Sequence, residues 1–281
     1  MTRGIALRDT TTAARLFAVA ALIAAALVAL PSAAQATVYW ANYDHGRIGK
    51  AANSGSPASP SFIDSPVGPF GAAAFENTLY WADYDTGSIG KADVSGATAT
   101  NVDTGYVTGQ DGIFAVAANE SYVYWGTVGG NIGRAEIAAD GSATNVDPDF
   151  VTGAGYVEGV AIGDGAVYWT DFDGNRIGRA TLHADGSLDT VTNAFQNING
   201  AGGIAYSAHR LYWANSFGTT IGRATVAADG SLTGVDQSFI TGAMGPAGAI
   251  APVMNDWSTP LSEPSAATVA RPIVVPNEFA Q

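Results

Sequence analysis

The sequence predicts an all-β protein, a β-propeller of five four-stranded blades. Three observations carry this. The dipeptide Tyr-Trp occurs five times, with Trp40, Trp81, Trp125, Trp169 and Trp213 spaced by 41, 44, 44 and 44 residues. An Ile-Gly-Lys/Arg-Ala block follows each one, at 48–51, 89–92, 132–135, 177–180 and 221–224. Three repeats then carry Ala-Asp-Gly-Ser, at 139–142, 184–187 and 228–231. Glycine-rich units of about 44 residues without helical periodicity have the size of a propeller blade.

Within a unit, a lean apolar run such as Gly203, Ile204 and Ala205 opens as the innermost strand. The Tyr-Trp run, β-branched and aromatic, makes the second strand. A polar turn such as 171–175 leads into the Ile-Gly-Arg-Ala strand. The Asp-Gly pair is expected to supply the positive φ angles of a tight hairpin. An outer strand such as Phe150, Val151 and Thr152 ends the unit.

Closure is legible too. The first unit starts directly on its Tyr-Trp strand, and residues 247–251 repeat the opening pattern after the fifth unit. That C-terminal piece is expected to provide the innermost strand of the first blade, sealing the ring and removing open sheet edges. The propeller then spans 37–252, and the proline-containing stretch 253–281 reads as an irregular tail. The rival count is six blades, because Trp257 lies 44 residues after Trp213. Its surroundings lack the motif.

The block Val167, Tyr168, Trp169, Thr170 and Asp171 contains a complete YWTD sequence, and the other copies read YWAN, YWAD, YWGT and YWAN. With the Ile-Gly-Arg-Ala and Asp-Gly elements behind it, the unit resembles the class B repeat of the low-density lipoprotein receptor family. The resemblance covers 37–252. It implies a propeller that binds partners on one face and carries no catalytic residues in its motif.

The chain begins with an address. Arg3, Arg8 and Arg15 precede fifteen uncharged apolar residues, 16–30, and Ala34, Gln35 and Ala36 form a small-x-small cleavage site. This reads as a signal peptide cut after Ala36, because the run covers roughly 22 Å of a hydrocarbon core about 30 Å thick. The expected product is secreted and monomeric, without membrane insertion. Removing Arg3, Arg8, Arg15 and Asp9 takes the net charge from −13 to −15. Such an acidic chain excludes nucleic acid as a partner. With no Cys in 281 residues, disulfides, thiolate zinc sites and cysteine nucleophiles are excluded as well.

Candidate functional residues are few. The tryptophans are expected to pack flat between blades. Lys50, Lys91, Arg134, Arg179 and Arg223, one per blade, are expected at the rim, paired with carbonyls or acids, Asp83 and Asp171 above all. Asp83 with Asp85, and Asp171 with Asp173, place carboxylates two apart, a pattern hard cations can use, but neither turn matches a full calcium loop. No cofactor is expected. Asp111 and Glu158 precede innermost strands in adjacent blades, where a carboxylate pair could serve glycosidic or lactone chemistry. The preferred reading is a non-catalytic binding or scaffold propeller recognising an extracellular protein or glycan. The alternatives are a lectin using repeated weak pockets and a hydrolase or lyase using Asp111 and Glu158.

Overall fold

The computed structural model describes residues 37–243, apart from 53, 54, 65, 184 and 190. The leader 1–36, the expected closing strand at 247–251, Trp257 and residues 253–281 lie outside the described residues. Five antiparallel sheets form a five-bladed β-propeller. Blade 1 shows three strands among the described residues: β1 (Thr37–Asn42), β2 (Arg47–Ala52) and β3 (Ala58–Ile63). Blade 2 runs from its innermost strand outward through β4 (Pro69–Phe75), β5 (Thr78–Asp83), β6 (Ser88–Asp93) and β7 (Thr100–Val107). Blade 3 contains β8 (Ile113–Ala118), β9 (Tyr122–Thr127), β10 (Ile132–Ile137) and β11 (Ala143–Val151). Blade 4 contains β12 (Val157–Gly163), β13 (Ala166–Asp171), β14 (Arg176–Thr181) and β15 (Thr192–Gln196). Blade 5 contains β16 (Ala201–Ser207), β17 (Arg210–Asn215), β18 (Thr220–Val226) and β19 (Leu232–Thr241). Among the described residues no helix is long and apolar enough to cross a membrane.

One cross-strand pair recurs in every blade. Each tryptophan faces the glycine of the Ile-Gly block: Trp40 with Gly49, Trp81 with Gly90, Trp125 with Gly133, Trp169 with Gly178 and Trp213 with Gly222. A Cβ on any of these glycines would fall 2.1–2.2 Å from the indole Cε2. The indole therefore lies flat on bare backbone, and only glycine leaves room for it. Its other face closes the gap to the preceding blade. Trp125 packs with Ile89 and Val107 of blade 2, Trp169 with Ile132 and Val151 of blade 3, and Trp213 with Ile177 of blade 4. Trp81, Trp125, Trp169 and Trp213 are at most 2% exposed.

The innermost strands β4, β8, β12 and β16 stand side by side, each against the next. Small residues permit this. A Cβ on Gly71 would come 2.6 Å from the Phe114 carbonyl oxygen, and one on Gly159 would come 2.7 Å from the Ile204 amide nitrogen.

The basic residue of the first four Ile-Gly-Lys/Arg-Ala blocks reaches across to the next blade. Lys50 Nζ donates to the Gly96 carbonyl at 3.1 Å, Lys91 Nζ donates to that of Gly141, and Arg134 Nη1 donates to that of Gly186 at 2.6 Å. Arg179 lies against Gly230, where a Cβ would come 2.4 Å from the guanidinium carbon. The same cations cap aromatic rings of their own blade: Lys50 on Phe62 at 4.3 Å, Lys91 on Tyr106 at 4.5 Å, Arg134 on Phe150 at 3.8 Å and Arg223 on Phe239 at 3.9 Å. The expected pairing with Asp83 and Asp171 does not form. Both carboxylates sit at the other end of the strand and serve a turn, as described below.

The hairpins that receive these cations also differ from expectation. Only the glycine of each Asp-Gly pair is left-handed, with φ of 80° at Gly141, Gly186 and Gly230. Gly141 N–H bonds to the Ala138 carbonyl at 2.7 Å, and Ala138 N–H bonds to the Ser142 carbonyl at 2.9 Å. That is a three-residue loop with a left-handed glycine, the next commonest hairpin after the two-residue form. The aspartate accepts instead, as Asp140 does from Ser142 N–H at 2.9 Å.

The indole–glycine pair makes a prediction about coupling. Trp169→Ala is expected to cost about 3–5 kcal/mol through the lost ring and its cavity. Gly178→Ala alone is expected to cost roughly 1–3 kcal/mol through overpacking. In the Trp169→Ala background the same glycine change should be close to neutral, since the ring it strikes is gone. Denaturant melts of the four proteins measure this, and additive losses would show that the two residues do not share the site.

Candidate binding site at the axial mouth

At one end of the blades, the turns between second and third strands meet the loops that lead into the innermost strands. The main chain ties them together in a repeated pattern. Tyr84 N–H bonds to the Gly68 carbonyl, Val128 to Gly112, Phe172 to Tyr156 and Ser216 to Gly200, at 2.7–2.9 Å. Each turn also holds the following loop: Gln110 N–H bonds to Gly87, Ala154 to Gly130, Ile198 to Asn175 and Ala243 to Thr219, at 2.8–3.0 Å.

The residue two places after each tryptophan hydrogen-bonds at the strand end, and in blades 2, 3 and 4 it caps the turn that follows. Asp83 accepts from Val67 N–H at 2.8 Å, Gly68 N–H at 3.1 Å and Thr86 N–H at 3.3 Å. Asp171 accepts from Gly174 N–H at 2.9 Å and pairs with Arg176 Nε at 2.7 Å. Thr127 exchanges hydrogen bonds with the Asn131 main chain at 3.1 and 3.2 Å. Asn215 donates to Thr220 Oγ1 at 2.7 Å and to the Gln237 carbonyl at 2.8 Å, and Asn42 donates to the Pro60 carbonyl at 3.2 Å. Asp83 and Asp171 are 2% and 3% exposed, so their oxygens are committed to the fold. Asp85 accepts from the Tyr43 hydroxyl at 2.9 Å, and Asp173 is exposed. Among the described residues, no three His, Asp or Glu side chains gather as metal ligands would.

Above these caps runs a feature the sequence reading missed, a continuous arc of aromatic rings. Tyr43 meets Phe70 at 5.8 Å, Phe70 meets Phe114 at 4.2 Å, and Phe114 meets Tyr84 at 4.9 Å and Tyr156 at 5.5 Å. Tyr156 meets Phe172 at 5.7 Å, and Phe172 meets Phe217 at 5.0 Å. The arc passes from blade 1 to blade 5. Tyr84 is 36% and Phe217 66% exposed, large values for rings of this size. The signal was present in the turns themselves: an aromatic residue lies between the acids of Asp83, Tyr84 and Asp85, and of Asp171, Phe172 and Asp173.

Glu158 lies beside this arc. It is the second residue of β12, within the innermost strand and not in the loop ahead of it. Phe70, Phe114 and Gly202 hold the same place in β4, β8 and β16, since the residue before each pairs with the one two places after the tryptophan: Pro69 with Asp83, Ile113 with Thr127, Val157 with Asp171 and Ala201 with Asn215. Glu158 Oε2 is buried without a hydrogen-bond partner. Burial raises its pKa from 4.5 to about 8, because the charged form has lost its water. The neighbouring Tyr156 phenol is pushed up to about 12, first by burial and then by the charges of Glu158, Tyr84 and Asp173. Asp111 is exposed in the loop two residues ahead of β8, in the adjacent blade. No hydrogen bond joins it to Glu158.

At the opposite end of the blades, two equivalent crevices of about 320 and 430 Å³ lie between blades 3 and 4 and between blades 4 and 5. His183 and His209 line them and pair with Asp189 at 2.8 Å and Asp164 at 2.9 Å. These histidines lie away from Glu158.

Among known proteins, no family profile and no curated sequence matches this chain. Solved structures do match its fold. One is the nidogen/laminin complex, with a TM-score of 0.57 at 16% identity over 72% of this chain and 76% of that one. A gluconolactonase of Xanthomonas campestris gives a TM-score of 0.56 at 15% identity over 74% of both chains. A streptogramin B lyase gives 0.53 at 18% identity over 76% of this chain and 69% of that one. At such identities the likeness shows a β-propeller. These three proteins, a binding complex and two enzymes, show how many uses that fold carries.

The buried carboxyl gives stability a pH dependence. Its folded pKa lies above its unfolded value, so the folded state holds the extra proton between them. The favourable contribution is complete below about pH 4.5 and is lost as pH rises to and through about 8. Glu158→Gln, neutral throughout, is expected to match the parent near pH 4 and to exceed it by a few kcal/mol near pH 9. Denaturant midpoints across that range test this; parallel curves for the two proteins would show that Glu158 ionises freely.

Proposed function

We propose that this chain is a non-catalytic binding propeller that recognises an extracellular protein through its axial mouth. The observation that carries this reading is the continuous aromatic arc with its exposed rings Tyr84 and Phe217. Rings that offer large area at small conformational cost are what protein-binding surfaces concentrate. The leader at 1–36 supports secretion, and the acidic balance suits a partner met outside the cell.

The glycan reading is weaker on geometric grounds. A repeated lectin site needs equivalent polar groups in every blade, and these five differ in kind and in partner: Asp83, Thr127 and Asp171 bond their own turns, whereas the amide groups of Asn42 and Asn215 reach carbonyls of the outer strands. The hydrolase or lyase reading draws support from Glu158, a carboxyl held neutral near pH 7 and so able to donate a proton. It needs a second group poised beside that acid. Asp111, the sequence's candidate, stands exposed and unlinked to Glu158.

A random peptide library selected on the immobilised chain tests the reading. Selected peptides are expected to bind the Tyr84→Ser, Phe217→Ser double variant at least about tenfold more weakly, with the thermal midpoint unchanged because both rings are exposed. Equal binding to the double variant would move the site off the mouth. Lactone turnover abolished by Glu158→Gln would favour the enzyme.

A further inference from the structure

We propose that the mouth selects a basic side chain, with a lysine of the protein partner reaching between the aromatic rings to the carboxyl of Glu158. This inference rests on the reading of the mouth as a protein-binding surface and adds the chemistry of what it takes.

Three observations converge on a cation. The first is Glu158 itself. Its Oε2 is buried without a partner at an innermost-strand position where blades 2, 3 and 5 carry Phe70, Phe114 and Gly202. An apolar ligand would leave that oxygen unpaired, and an anion would oppose it, whereas a donor satisfies it. The second is the ring set around it. Phe114, Tyr156 and Phe172 form a wall of aromatic faces and edges that suits an alkyl stem followed by a cationic head. Lysine provides four methylenes and a compact ammonium with three donors. The third is the charge of this face. Asp44, Asp85, Asp111 and Asp173 are exposed on its turns and loops. Two cations at this end are already paired, Arg47 with Asp64 at 2.8 Å and Arg176 with Asp171 at 2.7 Å.

The titratable surroundings of Glu158 are sparse. β8 and the near end of β16 bring no ionisable side chain, and β9 contributes Thr127 at that level. β13 brings Asp171, neutralised by Arg176. Tyr156 stands beside Glu158, with Tyr84 and Asp173 beyond. A bound ammonium would therefore be the dominant charge acting on Glu158. It would favour the carboxylate and displace its proton to solvent at neutral pH.

Two synthetic peptides test this by NMR titration of the full chain: acetyl-Leu-Lys-Leu-amide and its norleucine counterpart, which keeps most of the stem and removes the charge. The lysine peptide is expected to bind at least about tenfold more tightly at about pH 9, with a smaller advantage at about pH 6, where Glu158 holds its proton. Glu158→Gln should erase the advantage while the norleucine peptide binds as before. Equal affinity of the two peptides for the parent protein overturns the choice of a cation and leaves the aromatic site standing. Failure of both peptides to shift the mouth resonances overturns this inference and the protein-binding reading together. Free phenethylamine binding as tightly as the lysine peptide overturns the assignment to a protein side chain in favour of a small amine.

Discussion

The structure depends on one contact, an indole laid on a glycine across a strand pair. With Cβ absent at Gly49, Gly90, Gly133, Gly178 and Gly222, each tryptophan lies flat on its own sheet. A ring held flat has a second face free, and in blades 2 to 5 that face becomes the wall on which the preceding blade packs. The pair thus joins two scales, since it fixes the register of the second and third strands and sets the blade-to-blade spacing. Where the wall is complete, the ring is removed from water almost entirely. Each such ring then buries roughly 150–250 Å², most of what a blade interface needs.

The lean innermost strands and the basic latches follow from that spacing. Blades brought this close at the axis leave no room for a Cβ on Gly71 or Gly159. Farther out the same wedge opens, and a long side chain is needed to span it. Lys50, Lys91 and Arg134 span it by standing on an aromatic ring of their own blade and donating to a hairpin carbonyl of the next. A carbonyl acceptor suits this position better than a carboxylate. It does not require a second charge to be desolvated, and for Lys91 and Arg134 it belongs to a left-handed glycine of the hairpin.

Much of this architecture was legible because the repeat writes each structural demand five times. Tryptophan, glycine and the basic residue recur at fixed spacing, and a demand that recurs in sequence is one that recurs in space. That carbonyls could receive the cations was legible; which carbonyls was not, because Gly96, Gly141 and Gly186 lie about fifty residues away in sequence. The hairpins misled for a related reason: Asp-Gly fits two turn types, and the serine amide that binds the aspartate chooses between them. The aromatic arc escaped because it is assembled from three places in the repeat, with Tyr156 coming from the loop ahead of β12. Phe70 and Phe114 come from innermost strands, Tyr43, Tyr84 and Phe172 from turns, and only the folded ring brings them together.

That last point bears on where function is to be sought in a repeat protein. Positions that hold the ring closed must be alike in every blade, so they cannot distinguish one partner from another. Specificity has to come from positions where the copies differ although the backbone does not. The second residue of the innermost strand is such a place: the backbone repeats, while the side chains are Phe70, Phe114, Glu158 and Gly202. A carboxyl there is costly to the fold, since burial works against its charge and no neighbour repays the loss. Among the four described innermost strands the chain bears that cost at one, beside the aromatic arc, and a group unfavourable to folding but placed at a mouth is one that a ligand can satisfy.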